Sequence, residues 1–210
     1  MSQKLAALTD ARVLAVVRAP SAESALLAAD ALIAGGIVGL EITYSTPDAP
    51  AVISELNARY GERIYLGAGT VTTSQQATLA ADAGARFLVS PGTRRSLTGA
   101  MKDTGLLVMT GALTPSEIMA AVEYGTDVVK IFPASLGGPA FLNALRGPFP
   151  NLPLMPTGGI TPDNLETWFA AGAIAVGAGG DLLSGADLAA GRYDEVERKA
   201  RLFAATTSLA

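Results

Sequence analysis

Short apolar runs recur along the chain, and an alanine-rich stretch ending in glycine precedes several of them. The glycines that introduce these runs are Gly36, Gly84, Gly125 and Gly172. Glycine suits a helix end because it adopts the left-handed conformation without a Cβ penalty. The runs that follow are apolar on both faces, which is typical of strands in a buried parallel sheet. The pattern therefore predicts helices and strands that alternate along the chain.

The apolar runs predict eight strands, with helical stretches between them. The predicted strands are Val13–Arg18, Val38–Thr43, Ile64–Gly67, Arg86–Ser90, Leu106–Thr110, Asp127–Phe132, Leu152–Pro156 and Ile174–Gly177. Eight such units indicate a closed barrel of the α/β class rather than an open doubly wound sheet. We expect a short N-terminal helix within Met1–Asp10 and a last helix over Tyr193–Ala205. Since no linker divides the chain, residues 1–210 are expected to form a single (βα)8 TIM barrel domain.

Composition narrows the class of protein. Half of the 210 residues are hydrophobic, yet no window holds the eighteen or so apolar residues that a membrane span needs. The N-terminal stretch lacks the basic start and long apolar middle of a secretory signal, so we expect a cytoplasmic protein with no membrane partner. A net charge of −4 without a basic stripe argues against nucleic acid. Small molecules are the expected partners.

Cysteine and histidine are both absent, which excludes disulfides, thiolate chemistry and the commonest metal ligand. Proton transfer must then fall to Glu, Asp, Lys, Tyr or bound water. In a barrel of this type, the reactive groups lie at the carboxyl ends of the strands. The strand-end residues that can carry chemistry here are Arg18, Glu41, Thr43, Thr70, Pro91, Lys130 and Thr157, together with two glycine-rich turns at 158–159 and 177–180.

Lys130 stands between apolar residues of the sixth predicted strand. Desolvation there favours the neutral amine, which is the form that attacks a ketone carbonyl. The alternative is a strand-end lysine that reaches solvent or pairs with Asp127. Glu41, also within an apolar strand, is the leading proton shuttle, and its alternative is a structural ion pair with Lys130 or Arg18.

The remaining strand ends offer groups that bind anions. Arg18 can hold a carboxylate in a bidentate contact, and Thr70 can donate its hydroxyl to the same group. The turns after the seventh and eighth strands are the recurrent phosphate site of this architecture, although glycine pairs also occur in plain tight turns. Arg18 and Thr70 are equally compatible with ordinary strand-end polar residues.

The chain resembles a known family, the bifunctional 2-keto-3-deoxy-6-phosphogluconate (KDPG) and 4-hydroxy-2-oxoglutarate (KHG) aldolases. The motifs that carry the resemblance are Leu40-Glu-Ile-Thr43, Gly67-Ala-Gly-Thr-Val71, Ser90-Pro-Gly92, Val129-Lys-Ile-Phe-Pro133, Gly147-Pro-Phe-Pro150 and Pro156-Thr-Gly-Gly159. The resemblance implies a homotrimeric (βα)8 barrel that cleaves a pyruvate-derived keto acid through a Schiff base. It implies no cofactor and no metal, since the iminium does the work of a Lewis acid.

The matching motifs imply roles for individual residues. Lys130 would form the Schiff base, Glu41 would move protons, Thr70 would contact the pyruvyl carboxylate and Pro91 would line the pocket. Gly158, Gly159 and Gly179 would present backbone amides to a substrate phosphate, and Gly180 is assigned to the same site. We also assign substrate contacts to three strand-end residues, Thr43, Phe132 and Thr157.

Two departures from the family pattern affect the expected substrate. Some members have an arginine four positions after the glutamate, where this chain has Ser45, and Arg18 is expected to supply that charge. Gly180 replaces a phosphate-binding serine of many members, and the carboxylate of Asp181 follows it. The missing hydroxyl at position 180 and the carboxylate of Asp181 weaken the expected phosphate site, which favours an unphosphorylated substrate such as KHG.

The sequence is also compatible with other functions. The related galactonate-pathway aldolases also carry an aspartate where this chain has Asp181, so a phosphorylated galactonate derivative is the first alternative. The others are a phosphosugar isomerase or epimerase, with Glu41 as base, and a non-catalytic protein that binds keto acids or sugar phosphates.

Overall fold

The structure, a computed structural model, describes residues 3–207 and contains eight parallel strands. The strands are β1 (Val13–Val17), β2 (Gly39–Thr43), β3 (Tyr65–Gly69), β4 (Phe87–Ser90), β5 (Leu107–Ala112), β6 (Val128–Ile131), β7 (Leu154–Pro156) and β8 (Val176–Ala178). Each strand pairs in parallel with the next from β1 to β7, and β8 pairs with β1. A bridge between Thr157 and Gly177 brings β7 against β8 and completes the ring. The prediction of a (βα)8 TIM barrel is confirmed.

Helices follow the strands and form the outer layer. They are α1 (Gln3–Ala11), α2 (Ala22–Ala34), α3 (Ala49–Tyr60), α4 (Ser74–Asp82), α5 (Arg95–Asp103), α6 (Pro115–Glu123), α7 (Gly138–Leu145), α8 (Leu165–Ala170), α9 (Gly185–Ala189) and α10 (Tyr193–Thr207). Single 3₁₀ turns lie at Gly61–Arg63, Ala134–Leu136 and Pro162–Asn164. None of the helices described between residues 3 and 207 is long and apolar enough to cross a membrane.

All eight predicted strands are present, with boundaries within two residues of those observed. The largest differences include the carboxyl ends of β3 and β5, which run on to Gly69 and Ala112. Gly69 continues the ladder by pairing with Thr43, so a glycine that suggests a turn in sequence is here part of the sheet. The N-terminal helix is confirmed from Gln3 onwards, and Met1 and Ser2 of its predicted range lie outside the described residues.

Local sequence fixes where the helices after β3 and β5 begin. Thr73 caps α4 and Thr114 caps α6, each accepting from the backbone N–H three residues later. In return, the side chains of Gln76 and Glu117 accept from the capping residue's own N–H. These capping boxes start each helix soon after the preceding strand. They therefore keep the loops at the barrel mouth short.

Apolar side chains fill the lower part of the barrel interior. One buried cluster includes Leu14, Tyr65, Phe87, Leu107 and Val128, and α1 adds Leu8 to it from below. A second, larger cluster lies between the sheet and the helices and takes the alternate strand residues. The floor of the barrel is thus dry and closed, and polar side chains are found higher, towards the carboxyl ends of the strands.

Candidate active site

Lys130 and Glu41 face each other inside the barrel. Lys130 lies on β6 and Glu41 on β2, and Lys130 Nζ is 3.4 Å from Glu41 Oε1. The two side chains are 4% and 0% exposed, so the pair is almost completely removed from bulk water. Their attraction is far stronger there than it would be on the surface. The two ionisable groups that the sequence sets into apolar strands therefore form one buried unit.

The alternative partners foreseen for these two residues are engaged elsewhere or free. Asp127 accepts from Lys102 Nζ at 2.7 Å and from the Val108 N–H at 2.8 Å, so it does not pair with Lys130. Arg18 makes no ion pair with Glu41. The ion pair between Lys130 and Glu41 does form, and its chemical use depends on what else lies around it.

One oxygen of Glu41 is available for further bonding. Glu41 Oε2 is buried and has no hydrogen-bond partner within residues 3–207. A buried carboxylate oxygen without a donor is costly, which makes it a strong acceptor for a bound hydroxyl or water. On the lysine side, the ring centroid of Phe132 lies 5.5 Å from Nζ. The pair therefore offers a free acceptor, Glu41 Oε2, on one side and is bounded by the Phe132 ring on the other.

Two threonines of β2 and its loop tie the end of β1 in place. Thr43 Oγ1 donates to the Val17 carbonyl at 2.8 Å and lies 2.7 Å from Ser45 Oγ. Thr46 Oγ1 accepts from the Ala19 N–H at 3.1 Å and lies 3.3 Å from the same carbonyl of Val17. These bonds hold the backbone on both sides of residue 18. Thr43 is fully buried, and its predicted substrate contact stays a prediction.

Arg18, at the end of β1, is the free cation of this part of the mouth. It is exposed, and it has no hydrogen bond or ion pair with any residue in the described range. Ser45, which stands where some family members have arginine, is also exposed. The guanidinium is thus fixed at its backbone and available to an anion at its tip.

Thr70 and Pro91 follow the neighbouring strands β3 and β4. Thr70 has φ 55°, a left-handed conformation that is uncommon for a residue with a Cβ and tends to occur at functional sites. The Pro91 carbonyl lies so close to β5 that a Cβ added at Gly111 would be 2.1 Å from it. Gly111 is the register partner of Lys130. The loop that carries Pro91 therefore lies beside β5, the strand next to that of the lysine.

Thr157 completes the wall on the other side of Lys130. It follows β7, whose Met155 is the register partner of Lys130. Thr157 is 4% exposed, and its Oγ1 has no partner among the residues described. The Thr157 side chain occupies the space that a side chain at residue 177 would take, since a Cβ built at Gly177 would lie 2.3 Å from Oγ1. An unpartnered buried hydroxyl next to the lysine is suited to a ligand hydroxyl.

The two glycine-rich turns follow Thr157 and β8. Gly158 and Gly159 have φ values of 99° and 73°, so both require the left-handed region that glycine enters freely. Gly159 and Gly180 are exposed and Gly179 is partly exposed. A Cβ at Gly179 or Gly180 would meet open space, so a ligand can approach this backbone closely. Phosphate binding by these turns stays a prediction.

The predicted residues thus lie around the mouth of the barrel, and they differ in how deeply they are buried. Lys130, Glu41, Phe132 and Thr157 lie at or beside the buried centre, while Arg18 and Pro91 lie at the exposed rim. Sequence reasoning missed Thr46 and Gly111, whose contacts are with residues about 20 to 30 positions earlier in the chain. A further contact that the sequence does not show is that of Glu41 with Gly69, since the carboxylate occupies the space beside this glycine.

Comparison with known proteins gives this constellation a context. Residues 5–199 match the family model described as "KDPG and KHG aldolase". The chain is 37% identical over 191 residues to a 2-dehydro-3-deoxy-phosphogluconate aldolase of Treponema pallidum, covering 90% of each chain. It is 36% identical over 195 residues to the KHG/KDPG aldolase of Escherichia coli K12, covering 92% of this chain and 91% of that one.

A solved structure with a similar fold holds a covalent intermediate. It is the KDPG aldolase of Legionella pneumophila, with pyruvate captured at low pH as a covalent carbinolamine intermediate. It superposes with a TM-score of 0.86 at 32% identity, over 95% of this chain and 97% of that chain.

Proposed function

This chain belongs to the KDPG and KHG aldolase family and is a class I aldolase, and from that premise we propose that Lys130 forms the Schiff base and Glu41 transfers the protons. The observation that carries the proposal is the 3.4 Å separation of two buried ionisable side chains at the mouth of the barrel. A lysine and a carboxylate within reach of each other, and shielded from water, meet the requirements of an amine nucleophile with its own base.

The first step is addition of Lys130 to the C2 ketone of the keto acid. Lys130 transfers a proton to Glu41, and the neutral Nζ forms a bond to C2 as the C=O π bond breaks. Glu41 then returns the proton to the carbonyl oxygen and is a carboxylate again. The resulting carbinolamine loses water and becomes a protonated imine. The positive nitrogen then accepts an electron pair from the neighbouring carbon, so no metal is needed to polarise the ketone.

Cleavage follows when Glu41, directly or through water, removes the proton of the C4 hydroxyl. The C3–C4 bond breaks, the aldehyde leaves, and the electron pair moves into the imine to give an enamine. Protonation at C3 and addition of water release pyruvate and the free lysine. The unpartnered Oε2 of Glu41 is the acceptor best placed for the hydroxyl proton.

Substrate recognition is assigned to the groups around this pair. We infer that Arg18 and Thr70 bind the carboxylate, that Pro91 and Phe132 line the pyruvyl part, and that Thr157 meets a hydroxyl of the substrate. Arg18 then supplies the charge that Ser45 lacks. The unpartnered guanidinium of Arg18 and the unpartnered hydroxyl of Thr157 support these roles.

The aldehyde product would be glyceraldehyde 3-phosphate from KDPG or glyoxylate from KHG. We infer that a phosphate, where present, lies on the turns formed by Gly158, Gly159, Gly179 and Gly180. The exposed carboxylate of Asp181 opposes a phosphate electrostatically, which favours KHG over KDPG. A phosphorylated galactonate derivative is the remaining aldol substrate, since an aspartate at this position also occurs in that branch of the family.

We also propose that the protein is a homotrimer. Pro115, Met119 and Val122 form an i, i+4, i+7 apolar stripe on α6 that is exposed to solvent. The stripe adjoins a groove lined in part by Leu136 and Phe141, and Leu136 is 72% exposed. An apolar surface of this kind is typical of a subunit interface. Sedimentation of Met119→Glu should show monomers, while Leu79→Glu, on α4, should stay trimeric.

Borohydride reduction in the presence of pyruvate tests the proposed chemistry. The wild-type protein should gain a stable adduct that peptide mass spectrometry locates at Lys130. Lys130→Met should lose both adduct and turnover, and Lys102→Met, a lysine paired with Asp127, should keep both. Solvent deuterium exchange without a trapped adduct would instead indicate an isomerase or epimerase. Ligand affinity without turnover would indicate a binding protein.

A further inference from the structure

The side chain of Glu41 occupies the space where residue 69 would carry its own side chain. Glu41 and Gly69 lie on the adjacent strands β2 and β3, and Gly69 pairs in register with Thr43, two residues after Glu41. A Cβ built at Gly69 would lie 2.0 Å from Oε1 of Glu41 and 2.5 Å from both Cδ and Cγ. These distances are far below van der Waals contact. The carboxylate therefore runs across the bare backbone of residue 69.

Backbone conformation does not explain why position 69 is glycine. Gly69 is the last residue of β3 and is not among the residues of positive φ, so any L-residue fits its backbone. Glycine within a strand weakens it, which makes its presence here informative. Gly67, the other glycine of β3, has a different neighbour, because a Cβ there would meet Phe87. Gly69 is thus the residue of β3 whose missing side chain leaves the space that Glu41 fills.

Glu41 has little room to move elsewhere. It is fully buried, and its register partner on the other side is Val16, which is also buried. Protein interiors are close-packed, so a methyl group at position 69 has to displace the carboxylate. Displacement would separate Oε1 from Lys130 Nζ, because the present distance of 3.4 Å depends on the path over residue 69.

We propose that Gly69 is a positioning residue for the aldolase reaction, since its missing side chain leaves the space through which Glu41 reaches Lys130. This inference rests on the proposed function, in which Glu41 transfers protons. Gly69 does not touch the substrate in this role. It acts through the position of the carboxylate alone.

Gly69→Ala in the full-length protein is the direct test. The turnover number should fall roughly 10²-fold, within the range that loss of a general base produces. The pH profile should lose the same limb that Glu41→Gln loses, and Lys130 should still be trapped by pyruvate and borohydride. The double variant Glu41→Gln with Gly69→Ala should be no slower than the slower single variant, because both remove one function.

Stability supplies a second measurement that does not depend on activity. All three atoms nearest to the built Cβ belong to Glu41 beyond its own Cβ, so Glu41→Ala removes the collision. The double variant Glu41→Ala with Gly69→Ala should therefore melt at a higher temperature than Gly69→Ala alone. As a comparison, Glu41→Ala should give no such recovery to Gly67→Ala, whose added methyl meets Phe87.

The outcomes separate the two proposals. If Glu41→Gln is impaired while Gly69→Ala keeps wild-type turnover and pH profile, the role of Gly69 is wrong and the role of Glu41 stands. Equal melting temperatures of Gly69→Ala with and without Glu41→Ala would also overturn it. If Glu41→Gln itself keeps full turnover, the failure lies in the proposed function.

Discussion

Lys130 and Glu41 are 89 positions apart in the chain, and their Nζ and Oε1 atoms lie 3.4 Å apart in the barrel. A proton can therefore pass directly between the two side chains. Glu41→Gln keeps the size of the side chain but cannot take up a proton. The turnover number should fall by about 10²- to 10⁴-fold, as steady-state kinetics would measure.

The same variant should still form the pyruvate adduct at Lys130, although more slowly. Glu55→Gln serves as the control, since Glu55 is an exposed partner of Arg59 on α3. An unchanged turnover number in Glu41→Gln would remove the glutamate from the mechanism.

Thr46 is expected to control the affinity for the substrate carboxylate through Arg18. Thr46→Val keeps the shape but removes the bonds to the Ala19 N–H and the Val17 carbonyl, which hold the backbone beside Arg18. A hydrogen bond contributes about 1 kcal/mol, so KM should rise about fivefold with little change in kcat.

Three variants sharpen this test. Thr46→Ser should restore KM, and Thr98→Val should leave it unchanged, since Thr98 is buried in α5 and bonds only to the Arg94 carbonyl. In an Arg18→Ala background, Thr46→Val should have no further effect on KM. A separate, additive loss would show that Thr46 does not act through Arg18.

Position 180 is expected to set the preference for phosphorylated substrates. Gly180→Ser adds a hydroxyl where many family members have one, and a hydrogen bond to a charged group contributes about 1.5 to 3 kcal/mol. KM for KDPG should fall by about 10- to 100-fold, while KM for KHG stays the same. Asp181→Asn should act in the same direction by removing a repulsive charge. Equal changes for both substrates would place the phosphate elsewhere.

Asp187 is expected to stabilise the junction of α9 and α10 in a pH-dependent way. Its carboxylate accepts from Lys199 Nζ at 2.7 Å, from Ser184 Oγ at 2.6 Å and from Arg192. These partners, with Lys199 the strongest, hold the pKa of Asp187 well below its usual value of 3.8. The stabilisation is therefore complete above about pH 4 and is lost as pH falls through the lowered pKa.

Thermal melts over pH check this expectation. Asp187→Asn should lower Tm at pH 7, and the gap to the wild-type protein should narrow in strong acid. Asp194→Asn makes the same charge change at an exposed aspartate in the first turn of α10 with no ion pair among the described residues, so it should lower Tm much less than Asp187→Asn. A gap for Asp187→Asn that is constant with pH would exclude the carboxylate as its cause.

The repeat of helix, glycine and apolar run was sufficient to predict the barrel, because each helix and strand can be recognised from the residues of its own segment. Once the barrel is known, the carboxyl ends of its strands must meet at one mouth, which brings Lys130 and Glu41 together. Their contact distance was beyond sequence reasoning. It depends on the register of β2 with β3 and on the empty space at Gly69.

Contacts between loops were also hidden from the sequence. Thr46 bonds to Ala19, 27 positions earlier, and nothing in the local pattern distinguishes it from Thr43 or Ser45. The exposed stripe on α6 likewise becomes visible only when burial is known, since Ile118 and Met119 are both apolar and only Met119 is exposed.

Closure of the lower end of the barrel by α1 limits the routes by which the substrate enters and the products leave. Leu8 is buried against the apolar interior of the barrel. In the described structure, the keto acid and both of its fragments therefore pass through the mouth. In the proposed mechanism, pyruvate remains bonded to Lys130, below the mouth, after the aldehyde is released. The aldehyde must therefore depart first, and pyruvate must arrive first when the reaction runs towards synthesis. The helix on the far side of the barrel thus leaves both fragments to use the mouth, and the covalent bond decides which of them leaves last.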